Sequence, residues 1–452
     1  MLDVVNYILG LGAAIFLPLV MIILGLAMGM KLKKAIAAGL TLGIAFTGMN
    51  VILGFMFDAI GPAATALVEH TGLHLTAIDV GWSPIAAIAW AWPYALILFP
   101  VQIGINLLML ALKWTNCLNV DLWNVWGKIF VAAMVMGLTG SLVFGLIAAG
   151  IQIVFELING DLIQKQLYRI CKIPGVTCTH PMMLQAPLLA LINRVLDFVP
   201  GLNAVNMNAA DMRKKLGLFG ENSVMGFLIG ALIAVMGGYD LKGVLTTAVQ
   251  VATSLVLFPM VAKLFMQALA PIADAAGAFM KARFKGREFY VGLDWPFLAG
   301  SSELWVTAII LVPFELLWAV GLSYFDMNNV IPLASVINVV VAVPALIVTG
   351  GNLIRMIIIC VIATPTYLWV ATSFAGMLTD MAAQTGTLQV NAGQYITWIQ
   401  LEAPEFRWAL AHAFNGEIAG VGVLIAFCAL FVWYFKRMKA RDAELEAADN
   451  KA

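Results

Sequence analysis

Between Ala35 and Leu112 the chain carries no lysine or arginine, and only three acids, Asp58, Glu69 and Asp79. A soluble fold cannot cover its surface with so little charge, and the rest of the chain repeats the pattern. Of 452 residues, 62% are hydrophobic and 11% are charged. An ordinary soluble domain has about 25% charged residues. Apolar runs of about 20 residues, the length that crosses a bilayer core, recur throughout. The expected fold is an all-α polytopic membrane protein. A disordered chain, a secreted disulfide scaffold and a nucleic-acid binder are excluded. The formal net charge of +0 offers no electrostatic handle for DNA or RNA.

Eleven candidate spans can be marked, at about 9–30, 36–56, 85–112, 129–155, 181–200, 223–238, 243–270, 296–320, 331–349, 353–376 and 416–435. The N-terminus, MLDVVNY, is acidic where a secretory signal would be basic, so the run from Ile8 to Met30 is expected to be a retained first span. The 85–112 stretch is broken by Pro93 and Pro100, and 181–200 is interrupted by Gln185, Asn193, Arg194 and Asp197. Such segments suit re-entrant or broken helices, which need protein or a wet cavity around them. Basic clusters follow the odd-numbered spans, ending in Lys436, Arg437, Lys439 and Arg441. The positive-inside rule then puts the N-terminus outside and the C-terminal tail (436–452) in the cytoplasm. Lys165, Arg169 and Lys172 disagree with this count. Either 156–180 is an interfacial amphipathic segment or a neighbouring span is miscounted.

No polar stretch is long enough for a nucleotide-binding domain, and no GxxxxGK[ST] occurs. The energy source is therefore an ion gradient, a partner protein, or none. The five cysteines form no CxxC and read as structural, and no HExxH or similar spacing supports a metal; no cofactor is expected.

Ionisable groups within spans are expensive and mark functional sites by default. Asp294 lies in FYVGLDWPFLAGSSELW just before Pro296, Glu303 nine residues later and Glu315 twelve beyond that. Carboxylates beside donors suit polyol hydroxyls, each of which both donates and accepts. The alternative is that these acids only pair with basic residues at an interface. GIAFTGMNVILGF carries Gly43, Thr47, Gly48 and Asn50, which read either as helix packing or as a polar site. His180, before Pro181, opens a hairpin tip or sits in a surface loop. Glu221, Asn222 and Asn352 stand at helix starts, as caps or as half-helix ends aimed at substrate. Trp90, Trp92 and Tyr94 read as an interfacial belt or as sugar-stacking rings.

Several longer motifs carry a resemblance: FDAIGPAA with DVGW, NVDLWNVW (Asn119–Trp126), FGENSVMGFLIG, GYDLKGVL, FYVGLDWPFLAG and GNLIR. On these the chain resembles, nearly end to end, the galactitol-type IIC permease subunits of the bacterial phosphoenolpyruvate-dependent phosphotransferase system. It is more distantly similar to the ascorbate permeases of that superfamily. The resemblance implies one integral-membrane unit over 1–435. Scaffold and dimerisation helices would include about 1–56 and 201–270, and core transport helices about 84–200 and 289–376, with re-entrant hairpins. It implies a homodimer in the bacterial inner membrane that carries a polyol by an elevator-like swing. A cytoplasmic IIB partner, served by IIA and phosphorylated on cysteine, would transfer that phosphoryl group to the polyol as it is released, so the permease is not itself an enzyme. Membrane lipids surround it. The implied site uses the Thr47–Asn50 stretch, the position around Trp126–Lys128, the His180 tip and Asp294; Asn124, Ser301, Glu303 and Asn352 complete the set of candidate substrate-binding residues. Histidines expected after NVW and after LAG are replaced by Gly127–Lys128 and by Ser301–Ser302–Glu303, so the polyol need not be galactitol. An ion-coupled sugar transporter using Asp294 or Glu303 is the alternative.

Overall fold

The computed structural model describes residues 13–70, 75–121, 123–205, 207, 221–283, 289–332, 334–335, 337–388, 390 and 393–449. In chain order the elements are α1 (Ala13–Ala27), α2 (Leu32–His70), β1 (Ala77–Asp79), α3 (Trp82–Ala91), α4 (Leu98–Ala111), β2 (Cys117–Asn119), α5 (Val125–Thr139) and α6 (Leu142–Cys171). There follow β3 (Val176–Cys178), α7 (Ala186–Leu196), α8 (Asn222–Met236), α9 (Leu241–Arg283), β4 (Tyr290–Leu293) and α10 (Ser302–Ser323). Last come β5 (Val330–Ile331), α11 (Val339–Thr349), α12 (Leu353–Thr385), β6 (Tyr395–Thr397), α13 (Pro404–Phe414) and α14 (Ile418–Asp449). Six helices among the described residues are long and apolar enough to cross a membrane, or seven if α3 and α4, bent by 91°, form one broken span. The chain is an all-α polytopic membrane protein. Several of the eleven stretches marked in the sequence are short helices, such as α5, α7 and α11.

The 129–155 stretch is not one span. Gly140 takes the left-handed conformation (φ 69°), and Ser141 caps α6 by accepting a hydrogen bond from Phe144 N at 3.3 Å. A Gly C-cap followed by a Ser N-cap ends one helix and starts another. The real span is α6, which places Lys165 and Arg169 near its C-terminal end. There Lys165 pairs with Glu446, and Gln166 donates to Asp442 at 2.8 Å. The discordant basic cluster therefore stands beside the C-terminal end of α14, where it meets acids, and 129–155 is not the span that precedes it.

One half of the molecule is the bundle α1, α2, α8 and α9. Gly226 and Gly230, one helical turn apart on α8, let it close onto α9. A Cβ at Gly226 would stand 2.7 Å from Ala252 Cα, and one at Gly230 2.9 Å from Val251 Cβ. Small residues of this kind bring backbones together where lipid supplies no hydrophobic drive. The outward face of α9 is an apolar stripe of Leu241, Leu245, Val249, Val256 and Met260. Their spacing keeps one side of a helix toward lipid or another apolar surface.

The other half is organised by two three-stranded parallel sheets, ordered β5-β1-β6 and β2-β4-β3. In the second, Cys117–Asn119 pairs with Tyr290–Gly292, and Val176–Cys178 with Val291–Leu293. Strands this short leave backbone edges that a bilayer cannot satisfy. Side chains close them. Asn106 of α4 donates to Cys117 O at 2.8 Å and accepts from Asn119 N at 2.9 Å, as a neighbouring strand would. On β6, Ile396 N donates to Thr379 Oγ1 at 2.9 Å. Gly292 is required at the centre of its sheet, because a Cβ there would meet Thr179 Cγ2 at 2.6 Å and Cys117 Sγ at 2.8 Å.

Candidate functional site

Because β2, β3 and β4 run parallel, their C-terminal ends emerge side by side. The chain then turns into α5, into a 3-10 turn leading to α7, and into a 3-10 turn leading to α10. These turns carry Asp121 and Asn124, Thr179 and His180, and Asp294. Asp121 accepts from Asn124 N at 3.2 Å and from Asn124 Nδ2 at 2.7 Å. Asn124 Oδ1 accepts from Trp126 Nε1 at 3.1 Å. Asp294 caps its own turn, taking Trp295 N at 2.7 Å. Pro181, directly after His180, stops that residue from being drawn into a helix, and Pro296 stands in the first turn after Asp294.

The other sheet contributes from the opposite side. Asp79, at the end of β1, accepts from Ser335 N at 2.6 Å, Ser335 Oγ at 3.0 Å, Gly81 N at 3.2 Å and Ile399 N at 3.4 Å, tying three strand ends together. Gln400 continues the tie, donating to Ser335 O at 2.8 Å and Ile337 O at 2.7 Å. Two residues on, Glu402 projects into the first cluster, and the turn is made by Ala403 in the left-handed region (φ 48°). A non-glycine residue held there is strained, and such strain persists only where its surroundings hold it.

The two sets meet at His180. Its Nδ1 accepts from Met182 N at 3.3 Å, which assigns the ring proton to Nε2. Nε2 lies 3.3 Å from Glu402 Oε1 and 3.6 Å from Asp294 Oδ1. Glu402 Oε2 takes Arg407 Nη2 at 2.6 Å, and the Arg407 guanidinium lies 5.3 Å from the Phe130 ring centroid. Beside them, Lys128 Nζ pairs with Glu156 Oε2 at 2.7 Å, whose other oxygen takes Gln152 Nε2 at 2.7 Å. Lys128, Glu156 and Arg407 are all buried. Four acidic side chains (Asp121, Glu156, Asp294, Glu402) thus stand with two cations, Lys128 paired with Glu156 and Arg407 with Glu402. The site holds an excess of acceptors, which is the chemistry that solute hydroxyl donors complement.

Asp121 and Asp294 face a cleft whose far wall is the bundle: Met21 of α1, Leu42 and Phe46 of α2, and Phe265 and Leu269 of α9. Phe46 and Phe265 meet edge to face, 5.0 Å between centroids. The cleft encloses about 10 Å³, room for a single water.

Of the residues singled out in the sequence, Asn124, Lys128, His180 and Asp294 come together here. Thr47 is exposed on α2 with its hydroxyl on Gly43 O at 2.9 Å. Gly48 packs against Val261, and on this helix it is Phe46 that lines the cleft. Asn50 is in α2, but its side chain is outside the described residues. Ser301 and Glu303 open α10 beyond Asp294 and are absent from the cleft lining. Asn352 caps α12 by accepting from Arg355 N at 3.3 Å, and belongs to a different cluster. Glu315 is buried elsewhere, accepting from Asn338 at 3.3 Å. Asp121, Glu156, Glu402 and Arg407 were not anticipated. Gly127, where histidine was expected, is tightly enclosed: a Cβ there would meet Arg407 Nη2 and Pro181 Cγ at 3.2 Å and Glu402 Oε2 at 3.4 Å.

Outside the spans, the Asp197 carboxyl sits at the end of α7. Burial works to raise its pKa, but hydrogen bonds from Arg194 and Arg355 prevail and hold it below the ordinary value of 3.8.

The family model for the PTS system sugar-specific permease component matches residues 7–393. The PTS system galactitol-specific EIIC component of Escherichia coli (strain K12) is 35% identical over 410 residues, 88% of this chain and 90% of the relative. A putative permease IIC component of the same organism is 30% identical over 439 residues, 97% of this chain and 100% of the relative. With its apolar spans and its buried polar cluster between two halves, the chain belongs to the sugar-specific permease components of the phosphotransferase system, of the galactitol-type IIC class.

Proposed function

We propose that this permease component carries an uncharged polyol of the galactitol type and grips it through Asp294, His180, Asp121 and Asn124, with Glu402 behind the histidine. The observation that carries this reading is the convergence of three parallel strand ends on one cleft, where His180 Nε2 stands 3.3 Å from Glu402 and 3.6 Å from Asp294. Carboxylates and an amide beside an N–H supply both halves of what a hydroxyl needs. The Lys128–Glu156 pair positions the start of α5, since Lys128 Nζ also donates to Asn124 O at 3.3 Å.

The bundle of α1, α2, α8 and α9 acts as the scaffold, and its apolar α9 stripe faces a second copy in a homodimer. The sheet-bearing half is the mobile core. Moving it along the scaffold separates Phe46 and Phe265 from Asp121 and Asp294, opens the cleft, and exchanges its exposure between the two sides in an elevator-like swing. In the inner membrane the N-terminus lies outside and the basic end of α14 in the cytoplasm, where phosphorylated IIB meets the released polyol and transfers the phosphoryl group from its cysteine. The charged ester cannot recross the bilayer.

The test is calorimetric titration of the purified protein with galactitol and other hexitols and pentitols, followed by uptake into vesicles with and without phosphorylated IIB. Saturable polyol binding and uptake that ends in polyol phosphate are expected. Accumulation of unmodified polyol under a pH gradient would replace this reading with ion coupling through the carboxylate excess.

A further inference from the structure

A second polar cavity, of about 310 Å³, lies at the far end of α7 from His180. It is lined by Arg355 at the start of α12, by Arg437, Arg441 and Tyr434 of α14, and by Asn193 and Asn203. Among the described residues, no carboxylate lines it. Asp197 stands behind the wall and is bound by Arg355 at 3.0 Å, Arg194 at 2.9 Å and Arg437 at 3.4 Å. One carboxylate against four arginines, Arg441 included, leaves a formal excess of positive charge. Asp442, the next acid along α14, is turned to Gln166.

The arginines are held rather than loose. Arg355 Nη1 donates to Asn193 Oδ1 at 2.7 Å, and Arg441 Nη1 to Val348 O at 2.6 Å. Gly350 (φ 67°) makes room, since a Cβ there would stand 2.7 Å from Arg441 Nη2. The N-terminus of α12, a 33-residue helix, adds the positive end of its dipole. Independently, Tyr434 is 0% exposed, yet its hydroxyl has no hydrogen-bond partner among the described residues. An unsatisfied buried donor costs about 1–3 kcal/mol unless something binds it.

We propose that this cavity binds a phosphate ester, held by the Arg355, Arg437 and Arg441 guanidiniums and the Tyr434 hydroxyl. Fixed guanidiniums around a donor suit phosphate oxygens, which accept charge-assisted hydrogen bonds. The ester is either a soluble polyol phosphate or the headgroup of an anionic lipid, and both present the same oxygens.

Tyr434→Phe and Arg437→Gln test it. The first removes only the idle hydroxyl; the second removes a half-exposed guanidinium. Melting temperatures of the unliganded variants report folding. In one arm, detergent-purified protein is titrated with hexitol phosphate and inorganic phosphate. In the other, the protein is placed in phosphatidylcholine nanodiscs with and without phosphatidylglycerol, and retained lipid is read by native mass spectrometry. Binding of the soluble phosphates by the wild type, weakened about tenfold in each variant, assigns a soluble ester. Retention of phosphatidylglycerol that the variants lose assigns a lipid headgroup. If neither probe binds, or both variants bind both probes as the wild type does, the proposal is wrong.

Discussion

His180 and Glu402 stand 3.3 Å apart, Nε2 to Oε1, although each is delivered by a different sheet. His180 follows β3, and Glu402 follows β6. The contact joins the two parallel sheets into one rigid core. It also fixes the ring with its N–H directed at carboxylates, so the histidine serves as an oriented donor and the carboxylates as acceptors. Neither sheet alone brings this donor and these acceptors together.

Asp294→Asn replaces one acceptor oxygen of the cleft with an amide N–H while keeping its shape and its capping of Trp295 N. A lost hydrogen bond costs about 0.5–1.5 kcal/mol, so polyol affinity should fall by roughly twofold to tenfold. Calorimetric titration measures this, and the melting temperature should stay near that of the wild type. Unchanged affinity would remove Asp294 from the site.

Lys128→Ala leaves Glu156 as an uncompensated charge in a buried position. Breaking a buried pair by removing one partner costs about 3–5 kcal/mol, whereas replacing both with apolar residues of similar volume is often neutral. Lys128→Met should therefore lower the melting temperature strongly, and Lys128→Met with Glu156→Leu should recover most of the loss. If Asn124 is positioned through this pair, the double variant also shows an altered polyol preference. Equal melting temperatures for the single variant and the wild type would show that the pair is not structural.

The polytopic all-α class and the unusual place of Asp294 were legible in the sequence, because a charge in an apolar run has few reasons to be there; His180 stood out, but a hairpin tip could not be told from a surface loop. The rest of the site was hidden for identifiable reasons. Glu156 fell outside its span when the Gly140–Ser141 break was read through, so the acid at the middle of α6 passed for the start of a polar loop. Glu402 and Arg407 lie in a stretch poor in basic residues and rich in acids, the composition of an external loop, yet both are buried. Only the return of β6 to pair with β1 brings them inward, and strands of three residues show no alternation to read. Asp121 was present in the NVDLWNVW motif, but nothing local tells an acid that faces a cleft from one that caps a helix.

Gly292→Ala tests whether the sheet, rather than any one side chain, builds the site. The added methyl group would stand 2.6 Å from Thr179 Cγ2 and 2.8 Å from Cys117 Sγ, so β2, β3 and β4 must move apart. Overpacking of this kind costs about 1–3 kcal/mol. Polyol binding should fall even though no cleft residue is changed. Thr179→Ser in the same background relieves the closest contact and should restore part of the affinity; no restoration would place the defect outside the sheet.

Asp197 sets an acid limit on stability at the end of α7. Its folded-state pKa lies below the ordinary 3.8, so the ionised form is favoured in the native protein. The stabilisation is fully present above the unfolded value and is lost as pH falls through the folded one. Between pH 6 and pH 3 the wild type should lose melting temperature more steeply than Asp197→Asn, whose curve is lower at pH 6 and flatter toward acid. Parallel curves would mean that Asp197 titrates alike in both states.

Phe46→Ala tests the cleft wall. The wall closes on Asp121 and Asp294 through the edge-to-face pair with Phe265, centroids 5.0 Å apart, and leaves space for about one water. Polyol entry therefore requires the rings to leave. Removing the phenyl group opens the wall permanently on the side of α2, and such a pair contributes about 0.5–1.5 kcal/mol beyond its buried area. In a Leu293→Cys background, where the new thiol lines the cleft, Phe46→Ala should raise the rate of labelling by a small water-soluble maleimide about tenfold, consistent with the loss of roughly that pair energy. Polyol should slow labelling in both proteins by occupying the cleft. Equal labelling rates with and without Phe46 would show that access is set by motion of the whole core, not by the aromatic pair.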